Sequence, residues 1–350
     1  MPEYGLTFIV ALAVAFVITP GVIWLAFRTG ALDTPEARKV HKQPVPRIGG
    51  LGIYLAFMAA MGVYLMTAEV PADVEQGLTG LLIGGSLIVV LGLLDDYFNL
   101  PAKVKLLGQI GCAGVAMVYG VRIDFINDPF GDVLYLYDYV AIPGTLFWIV
   151  GLTNTVNLID GLDGLAAGVS TIAAVTIFLV ALQQNFLLVA VVTAALAGAA
   201  FGFLYYNFNP ARIFMGDTGS MFLGFMLSGI SVIGAVKSAA TIALIVPILA
   251  LGLPILDTAF AIVRRKLAGV PIMKPDKGHL HHRLLSLGFT QRQAVLLMYT
   301  ISALLGTSAV AVTEVSPGFA LLILVGVVAS VLYGAKRLGI FHLNNTAHTH

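Results

Sequence analysis

The chain has 350 residues, of which 59% are hydrophobic and only 11% are charged. Soluble domains usually carry about 25% charged residues, so this composition excludes an ordinary soluble protein and predicts an all-α protein with several membrane spans. The net charge of +1 gives no bulk attraction to nucleic acid, and the single cysteine, Cys112, excludes an internal disulfide.

Apolar stretches long enough to cross a bilayer recur along the whole chain. A spanning helix needs about 20 mostly apolar residues, and this criterion predicts about eleven such helices. The first stretch is too long for a signal peptide and has no basic segment before it, so we interpret it as a span. The predicted spans are 5–27, 49–67, 77–94, 104–121, 139–157, 163–182, 186–205, 218–235, 239–263, 294–313 and 317–335.

Basic residues fall almost entirely in alternate loops. Of the 19 Lys and Arg, all except Arg122 and Lys237 belong to one set of loops or to the C-terminal end. Because basic residues concentrate in cytoplasmic loops, we expect the N-terminus outside and the C-terminus in the cytoplasm. Residues 1–350 then form one integral membrane domain. Its active site is expected in the cytoplasmic loops 28–48, 95–103, 154–163, 206–217 and 264–293.

Two adjacent carboxylates, Asp95 and Asp96, end the third predicted span in GLLDDYFN. They repel each other, and the negative end of a helix dipole disfavours them further, so a merely solvated helix end is the weaker explanation. A metal site or a base beside a cation is the functional interpretation. Lys105 and Gln109 follow with helical i, i+4 spacing, and we expect both to face a lipid phosphate.

Polar residues recur every third position in NTVNLIDGLD, at Asn154, Asn157, Asp160 and Asp163. A turn rich in Asn and Asp would explain one or two of them but not four. The glycines of DGLDG are expected to interrupt the helix and to let a ligand approach the backbone. This segment is therefore a candidate binding segment.

The segment FMGDTGS leads into the eighth predicted span and contains Phe214 and Asp217. Asp217 is a candidate N-cap of that helix, with Thr218 and Ser220 as alternatives. A helix N-terminus also attracts anions, and a carboxylate beside it is a suitable ligand for Mg²⁺, which binds through one or two carboxylates plus substrate phosphates.

Three histidines, His279, His281 and His282, stand in HLHH within the longest predicted cytoplasmic loop. A metal site and a basic patch for lipid headgroups are both alternatives. Since adjacent histidines point in different directions on a regular backbone, hydrogen-bond donors around a sugar or phosphate suit the spacing better than metal ligands. Asp257, near the end of the ninth span, is expected to pair with Arg264 or Arg265.

The motifs GLLDDYFN, NLIDGLDGLAAG, FMGDTGS and HLHH, in this order, resemble the polyprenyl-phosphate N-acetylhexosamine-1-phosphate transferases of glycosyltransferase family 4. Phospho-N-acetylmuramoyl-pentapeptide transferase is a more distant member. The resemblance runs from Pro46 to Leu284. It implies an enzyme of the bacterial cytoplasmic membrane that transfers sugar 1-phosphate from a UDP-N-acetylhexosamine to undecaprenyl phosphate on the cytoplasmic face. UMP is released, and Mg²⁺ is the implied cofactor, with Mn²⁺ as a substitute.

The resemblance also implies residue roles and a biological setting. The product would start an envelope glycopolymer such as teichoic acid, O-antigen or common antigen, and a homodimer is compatible with the family. Asp217 matches the metal-binding aspartate. The catalytic set is Asp95, Asp96 and Asp217; the nucleotide set is Lys42, Asn157, Asp160, Gly161, Leu162, Asp163, Asn207 and Phe214; the sugar and pyrophosphate set is His279, His281, His282 and Arg283.

Two departures from the family pattern narrow the expectation. Asn99 stands where related members often have the third aspartate of DDxxD, which argues against an essential third carboxylate. The HLHH spelling favours an N-acetylhexosamine donor, by default N-acetylglucosamine, over the muramoyl-pentapeptide donor. A secondary transporter is the alternative of another class, although its polar groups would lie near the midplane rather than at one edge.

Overall fold

The computed structural model describes residues 2–34, 44–68, 72–127, 133–237, 245–267, 269 and 278–337, and it is mainly helical. The all-α prediction is confirmed except for two short antiparallel hairpins, β1 (Leu32–Asp33) with β2 (Val45–Pro46) and β3 (Phe125–Asn127) with β4 (Val133–Tyr135). The helices are α1 (Glu3–Thr29), α2 (Gly50–Thr67), α3 (Ala72–Phe98), α4 (Ala102–Val118), α5 (Asp138–Ile159), α6 (Leu165–Gln183), α7 (Leu187–Asn207), α8 (Gly216–Lys237), α9 (Ile245–Ala250), α10 (Gly252–Leu267), α11 (Leu280–Ser286), α12 (Gln291–Val312) and α13 (Pro317–Arg337).

Eight helices in the described part of the chain are long and apolar enough to cross a membrane. They are α1, α2, α3, α5, α6, α7, α8 and α12, and the predicted spans 163–182 and 186–205 are present as α6 and α7. The helix α4 has 17 residues, and α13 contributes the shorter apolar segment Gly318–Gly334. A multi-pass membrane protein is thus confirmed, whereas the count of eleven and the orientation stay predictions.

The ninth predicted span, 239–263, lies partly outside the described residues. Its described part is divided into α9 and α10 at Leu251. Pro254 has no backbone N–H, so it cannot continue the helical ladder to the carbonyl of Ala250.

The helix α8 is the most buried of the eight and packs against α2, α3, α5, α6 and α7. Its N-terminus meets the start of α2 almost backbone to backbone: a Cβ on Gly50 would lie 2.0 Å from the amide nitrogen of Gly219. Only glycine permits this approach. Backbone hydrogen bonds from Gly49 N–H to Phe214 O (3.0 Å) and from Phe214 N–H to Pro46 O (2.7 Å) fix the same junction.

One end of the bundle therefore collects the polar motifs. There α3, α5 and α7 end, and α2, α4 and α8 begin. The β1–β2 hairpin brings the segment before α2 to this end.

Candidate active site

The start of α8 is capped by a residue from another helix. Asp96 of α3 accepts hydrogen bonds from the backbone N–H of Asp217 (2.9 Å), from that of Thr218 (3.0 Å) and from the Thr218 hydroxyl (2.6 Å). The carboxylate is 5% exposed. The expectation that Asp217, Thr218 or Ser220 supplies the cap is therefore wrong. Asp96 satisfies the free N–H groups at the positive end of the helix dipole.

Lys105 joins the two other carboxylates of the predicted catalytic set. Its ammonium forms an ion pair with Asp95 and lies 2.9 Å from Oδ2 of Asp217. Asp95 is buried, and its Oδ1 accepts a hydrogen bond from Leu100 N–H at 2.7 Å. Asp217 keeps 30% of its side-chain surface exposed. The ammonium thus bridges both carboxylates at the junction of α3, α4 and α8.

Two amides of α5 face this junction. The side-chain amide of Asn157 donates to Asp217 and, at 2.7 Å, to the hydroxyl of Ser220. One turn earlier, Asn154 donates to the side-chain oxygen of Gln109 at 2.6 Å. Gln109 is only 1% exposed, so its amide is directed to the interior pair with Asn154 rather than to the surface. Its predicted contact with a lipid phosphate stays untested.

A cavity of about 600 Å³ opens beside Asp217. Most of the predicted nucleotide residues line this cavity together with Asp217. Its described lining is Asp33, Val45, Arg47, Asn157, Asp160, Gly161, Leu162, Asp163, Asn207, Asn209, Pro210, Ala211, Phe214, Gly216, Asp217, His282 and Gln291. Asp95, Asp96 and Lys105 lie behind this wall, in contact with α8 or its Asp217.

Glycines interrupt the helix between α5 and α6, as predicted. Gly164, directly before α6, lies in the left-handed region (φ 80°). Asp163 braces it by accepting hydrogen bonds from the Asn209 side chain (2.9 Å) and from Ala211 N–H (3.0 Å). Asn207, 2% exposed, accepts from Gly164 N–H and donates to Ile213 O. Both residues therefore hold the cavity wall in shape.

Asp160 points into the same cavity without such a brace. Burial raises its pKa to about 8, and the charges of Asp217, Asp96 and Asp163 contribute to the shift. This carboxyl is therefore largely neutral at pH 7, which reduces the negative charge of the wall.

The histidine motif is anchored by Asp257, whose partner differs from the expected arginines. Asp257 Oδ2 lies 2.9 Å from His279 Nδ1, and its Oδ1 accepts from Leu280 N–H at 2.8 Å. Both side chains are buried. One carboxylate thereby fixes the ring of His279 and the start of α11.

His281 packs against the turn that follows α5. A Cβ on Gly161 would lie 2.6 Å from His281 Nε2, so glycine at this position admits the ring. Burial and the neighbouring His282 lower the pKa of His281 to about 4, which keeps the imidazole neutral. His282 lines the cavity instead. The two adjacent rings have different environments, as the sequence predicted.

Two of the predicted site residues, Lys42 and Arg283, are not among the described residues of the cavity wall. Lys42 lies outside the described residues, and Arg283 is described on α11 but does not line the cavity. Sequence reasoning assigned no role to four polar lining residues, Asp33, Arg47, Asn209 and Gln291. Their chain positions gave no periodic or motif signal, since each reaches the wall through a loop or a helix start.

The predicted Mg²⁺ can be tested against this donor set. Asp217 and Asp160 present carboxylate oxygens to one cavity. Within the described ranges, no group of three or more His, Cys, Asp or Glu side chains could enclose a metal. This fits Mg²⁺, which takes one or two carboxylates and completes its octahedron with water and substrate phosphates.

Comparisons with known proteins agree with the geometry. The family model described as Glycosyl transferase family 4 matches residues 78–235. A probable undecaprenyl-phosphate N-acetylglucosaminyl 1-phosphate transferase of Bacillus subtilis is 44% identical over 87% of this chain and 83% of its own length. A decaprenyl-phosphate N-acetylglucosaminephosphotransferase of Mycolicibacterium smegmatis is 38% identical over 90% and 84%.

A more distant relative is the phospho-N-acetylmuramoyl-pentapeptide-transferase of Desulforudis audaxviator, which is 32% identical over 86% of this chain and 94% of its own length. Identity at this level along nearly the whole of both chains extends beyond the matched motifs. The chain therefore belongs to glycosyl transferase family 4, the membrane-bound polyprenyl-phosphate N-acetylhexosamine-1-phosphate transferases.

Proposed function

We propose that this protein transfers N-acetylglucosamine 1-phosphate from UDP-N-acetylglucosamine to undecaprenyl phosphate, giving the lipid diphosphate sugar and UMP. The relatives at 44% and 38% identity are named for this transfer with undecaprenyl and decaprenyl phosphate. The reaction is the first membrane step of an envelope glycopolymer and takes place on the cytoplasmic face. None of the relatives compared is named as a transporter.

The observation that carries the proposal is the cavity beside Asp217. In one wall it joins the DGLD turn, Phe214 and the aspartate at the start of α8, all at one end of an apolar helical bundle. A lipid-borne phosphate and a water-soluble nucleotide sugar can meet only at such an edge.

The chemistry requires little beyond positioning and charge neutralisation. An oxygen of the lipid phosphate attacks the phosphorus that carries the sugar, the bond to the bridging oxygen breaks, and UMP leaves with that oxygen. A phosphate monoester has a second pKa of about 6, so the acceptor is mostly a dianion at pH 7 and needs no general base. One diphosphate bond is broken and one is formed, so the transfer is near thermoneutral and reversible.

The carboxylates of Asp95, Asp96 and Asp217 have different roles in this reaction. We infer that Asp96 positions the site, because both of its oxygens are used by the start of α8. Asp95 and Asp217 share Lys105. Its ammonium would attract the anionic lipid phosphate. Asp217, with Asp160 in the same wall, would hold Mg²⁺. The ion supplies neutralisation of the diphosphate and of the leaving UMP.

The donor is recognised along the same wall. Phe214 offers a flat ring for the uracil, and Asp160 to Asp163 surround the nucleotide where the wall is braced by Asn207. His282 lines the cavity, and His279, which directly precedes α11, is held by Asp257 of α10. Imidazole rings suit hydrogen bonds to a sugar and its phosphate.

The function is tested by UMP release from the purified protein in lipid nanodiscs. UDP-N-acetylglucosamine, undecaprenyl phosphate and Mg²⁺ together should give UMP and the lipid diphosphate sugar, and omission of the lipid or addition of EDTA should stop both. UDP-N-acetylgalactosamine and UDP-N-acetylmuramoyl-pentapeptide serve as donor controls. Absence of UMP with every donor would overturn the transfer, and preference for another donor would overturn the sugar assignment alone.

The metal assignment has its own test at Asp217. Asp217→Asn keeps the size of the side chain but removes the charge. It should lower turnover by roughly 100-fold or more, because several kcal/mol of charge stabilisation are lost. Thermal unfolding without Mg²⁺ should still show one folded species. Activity equal to that of wild type would contradict the assignment of Asp217 as the metal ligand. Exchange of labelled UMP into UDP-sugar by wild type measures reversibility.

A further inference from the structure

Arg47 stands in the cavity wall on a backbone that cannot shift freely. Its N–H donates to Ala31 O at 3.1 Å. Its carbonyl lies so close to Gly216 that a Cβ there would be 2.0 Å from the Arg47 oxygen. Gly216 has φ 70°, in the region that glycine adopts readily. The side chain of Arg47 is thus presented from a fixed point next to the start of α8.

The guanidinium of Arg47 is only partly satisfied. An arginine has five N–H donors in a planar fork. Nη1 contacts Oδ1 of Asn99 at 3.4 Å, the long end of the hydrogen-bond range. Nε is buried and has no hydrogen-bond partner. A buried donor without an acceptor is unfavourable, and an arriving ligand oxygen would satisfy it.

The charge of the cavity wall is a second reason to expect an anionic ligand at Arg47. Among the lining residues that the structure describes, Asp33, Asp163 and Asp217 accompany the largely neutral Asp160, and Arg47 is the one permanent cation. A phosphate ligand needs a cation to enter this acidic surrounding. Arginine matches phosphate oxygens with two parallel N–H donors, which a lysine cannot do.

Asn99 holds Arg47 without neutralising it. It follows the end of α3, is exposed, and has φ 49°, a conformation that asparagine and aspartate tolerate well. Its backbone N–H donates to Asp95 O at 2.8 Å, which fixes its position. A neutral amide therefore orients the guanidinium, whereas an aspartate here would form an ion pair with it.

We propose that Arg47 binds the diphosphate of the nucleotide-sugar donor and that Asn99 is its positioning residue. The inference rests on the proposed function and deepens it. The donor is favoured over the lipid phosphate because Arg47 shares its wall with Asp160 and Phe214, whereas Lys105 lies behind that wall with Asp95.

The experiment measures binding and turnover of the full-length protein in nanodiscs. Isothermal titration without lipid acceptor gives Kd for UDP-N-acetylglucosamine and for UMP, and UMP release gives KM for each substrate. The variants are Arg47→Ala, Arg47→Lys and Asn99→Asp. Arg337→Ala is the matched control, because Arg337 contacts only Tyr333 within α13 among the described residues.

Arg47→Ala should raise Kd for the donor by about 10- to 100-fold, the range expected for a charge-assisted hydrogen bond. Arg47→Lys should restore part of the affinity, and Asn99→Asp should weaken binding by about 3- to 10-fold with unchanged thermal stability. UMP has one phosphate, so its Kd should increase less than that of the donor. KM for undecaprenyl phosphate should stay as in wild type and as in Arg337→Ala.

Unchanged donor Kd in folded Arg47→Ala and Asn99→Asp, with normal UMP release by wild type, would overturn this inference and leave the proposed function intact. A raised KM for the lipid with unchanged donor Kd would overturn the donor assignment in favour of the lipid phosphate. If wild type neither binds UDP-sugars nor releases UMP, the proposed function itself fails. If Arg47→Ala does not fold, the exposed Asn99→Asp still decides between these outcomes.

Discussion

Lys105 Nζ lies 2.9 Å from Asp217 Oδ2, and the same ammonium forms an ion pair with Asp95. One cation therefore links α4 to both α3 and α8 at the point where the predicted metal would bind. Two carboxylates that share a site repel unless a positive charge lies between them. Lys105 supplies that positive charge between Asp95 and Asp217.

Lys105→Met should lower the thermal unfolding midpoint in EDTA, because removal of one partner leaves a buried charge and costs about 3 kcal/mol. Mg²⁺ should raise the midpoint more in the variant than in wild type, since a dication replaces the missing ammonium. Scanning calorimetry or fluorimetry with and without Mg²⁺ measures both. The control is Lys336→Met at an exposed position on α13. Equal Mg²⁺ effects in variant and wild type would contradict this role.

Asp96→Ala should destabilise the protein by about 2–3 kcal/mol, because the first N–H groups of α8 and the Thr218 hydroxyl lose their acceptor. Asp96→Asn keeps one acceptor oxygen, so it should reduce the free energy of unfolding by less than Asp96→Ala does. The measurement is the unfolding midpoint of each variant beside its UMP release. If both variants unfold like wild type yet lose all turnover, Asp96 has a chemical role and the positioning role is wrong.

Asp257→Ala should displace the imidazole of His279 and lower kcat/KM, although Asp257 itself does not line the cavity. One carboxylate holds both the imidazole and the start of α11. A double-mutant cycle with His279→Ala measures the coupling. Residues in direct contact typically couple by about 0.5–3 kcal/mol, so the double variant should lose less than the sum of the single losses in kcat/KM. Additive losses would show that Asp257 does not act through His279.

His281 gives a pH prediction with a definite sign. Its pKa in the folded protein is about 4, below the ordinary 6.5. Between these values the unfolded chain binds a proton that the folded protein does not, so the stability contribution of His281 falls as the pH drops from about 6.5 towards 4. His281→Gln should lose less stability over this range than wild type. Unfolding midpoints at pH 7 and pH 5 measure the difference, and parallel losses would refute the prediction.

Much of the architecture could be predicted from local patterns. Long apolar stretches predicted the spans, and those predicted at 163–182 and 186–205 are present as α6 and α7. The glycines of DGLDG marked the end of α5, since a helix is unlikely to continue through such a turn. The count of spans was harder, because α4 is short and Pro254 divides the ninth predicted span.

By itself, the sequence determined the membrane class, the family and the set of polar motifs, because composition, periodicity and motif order are properties of neighbouring residues. Only the tertiary structure decided which of those residues meet. It assigned the cap of α8 to Asp96, made His279 a partner of Asp257, and turned Gln109 inward to Asn154. Each pairing joins residues far apart in the chain, so it depends on how the helices pack rather than on any local signal.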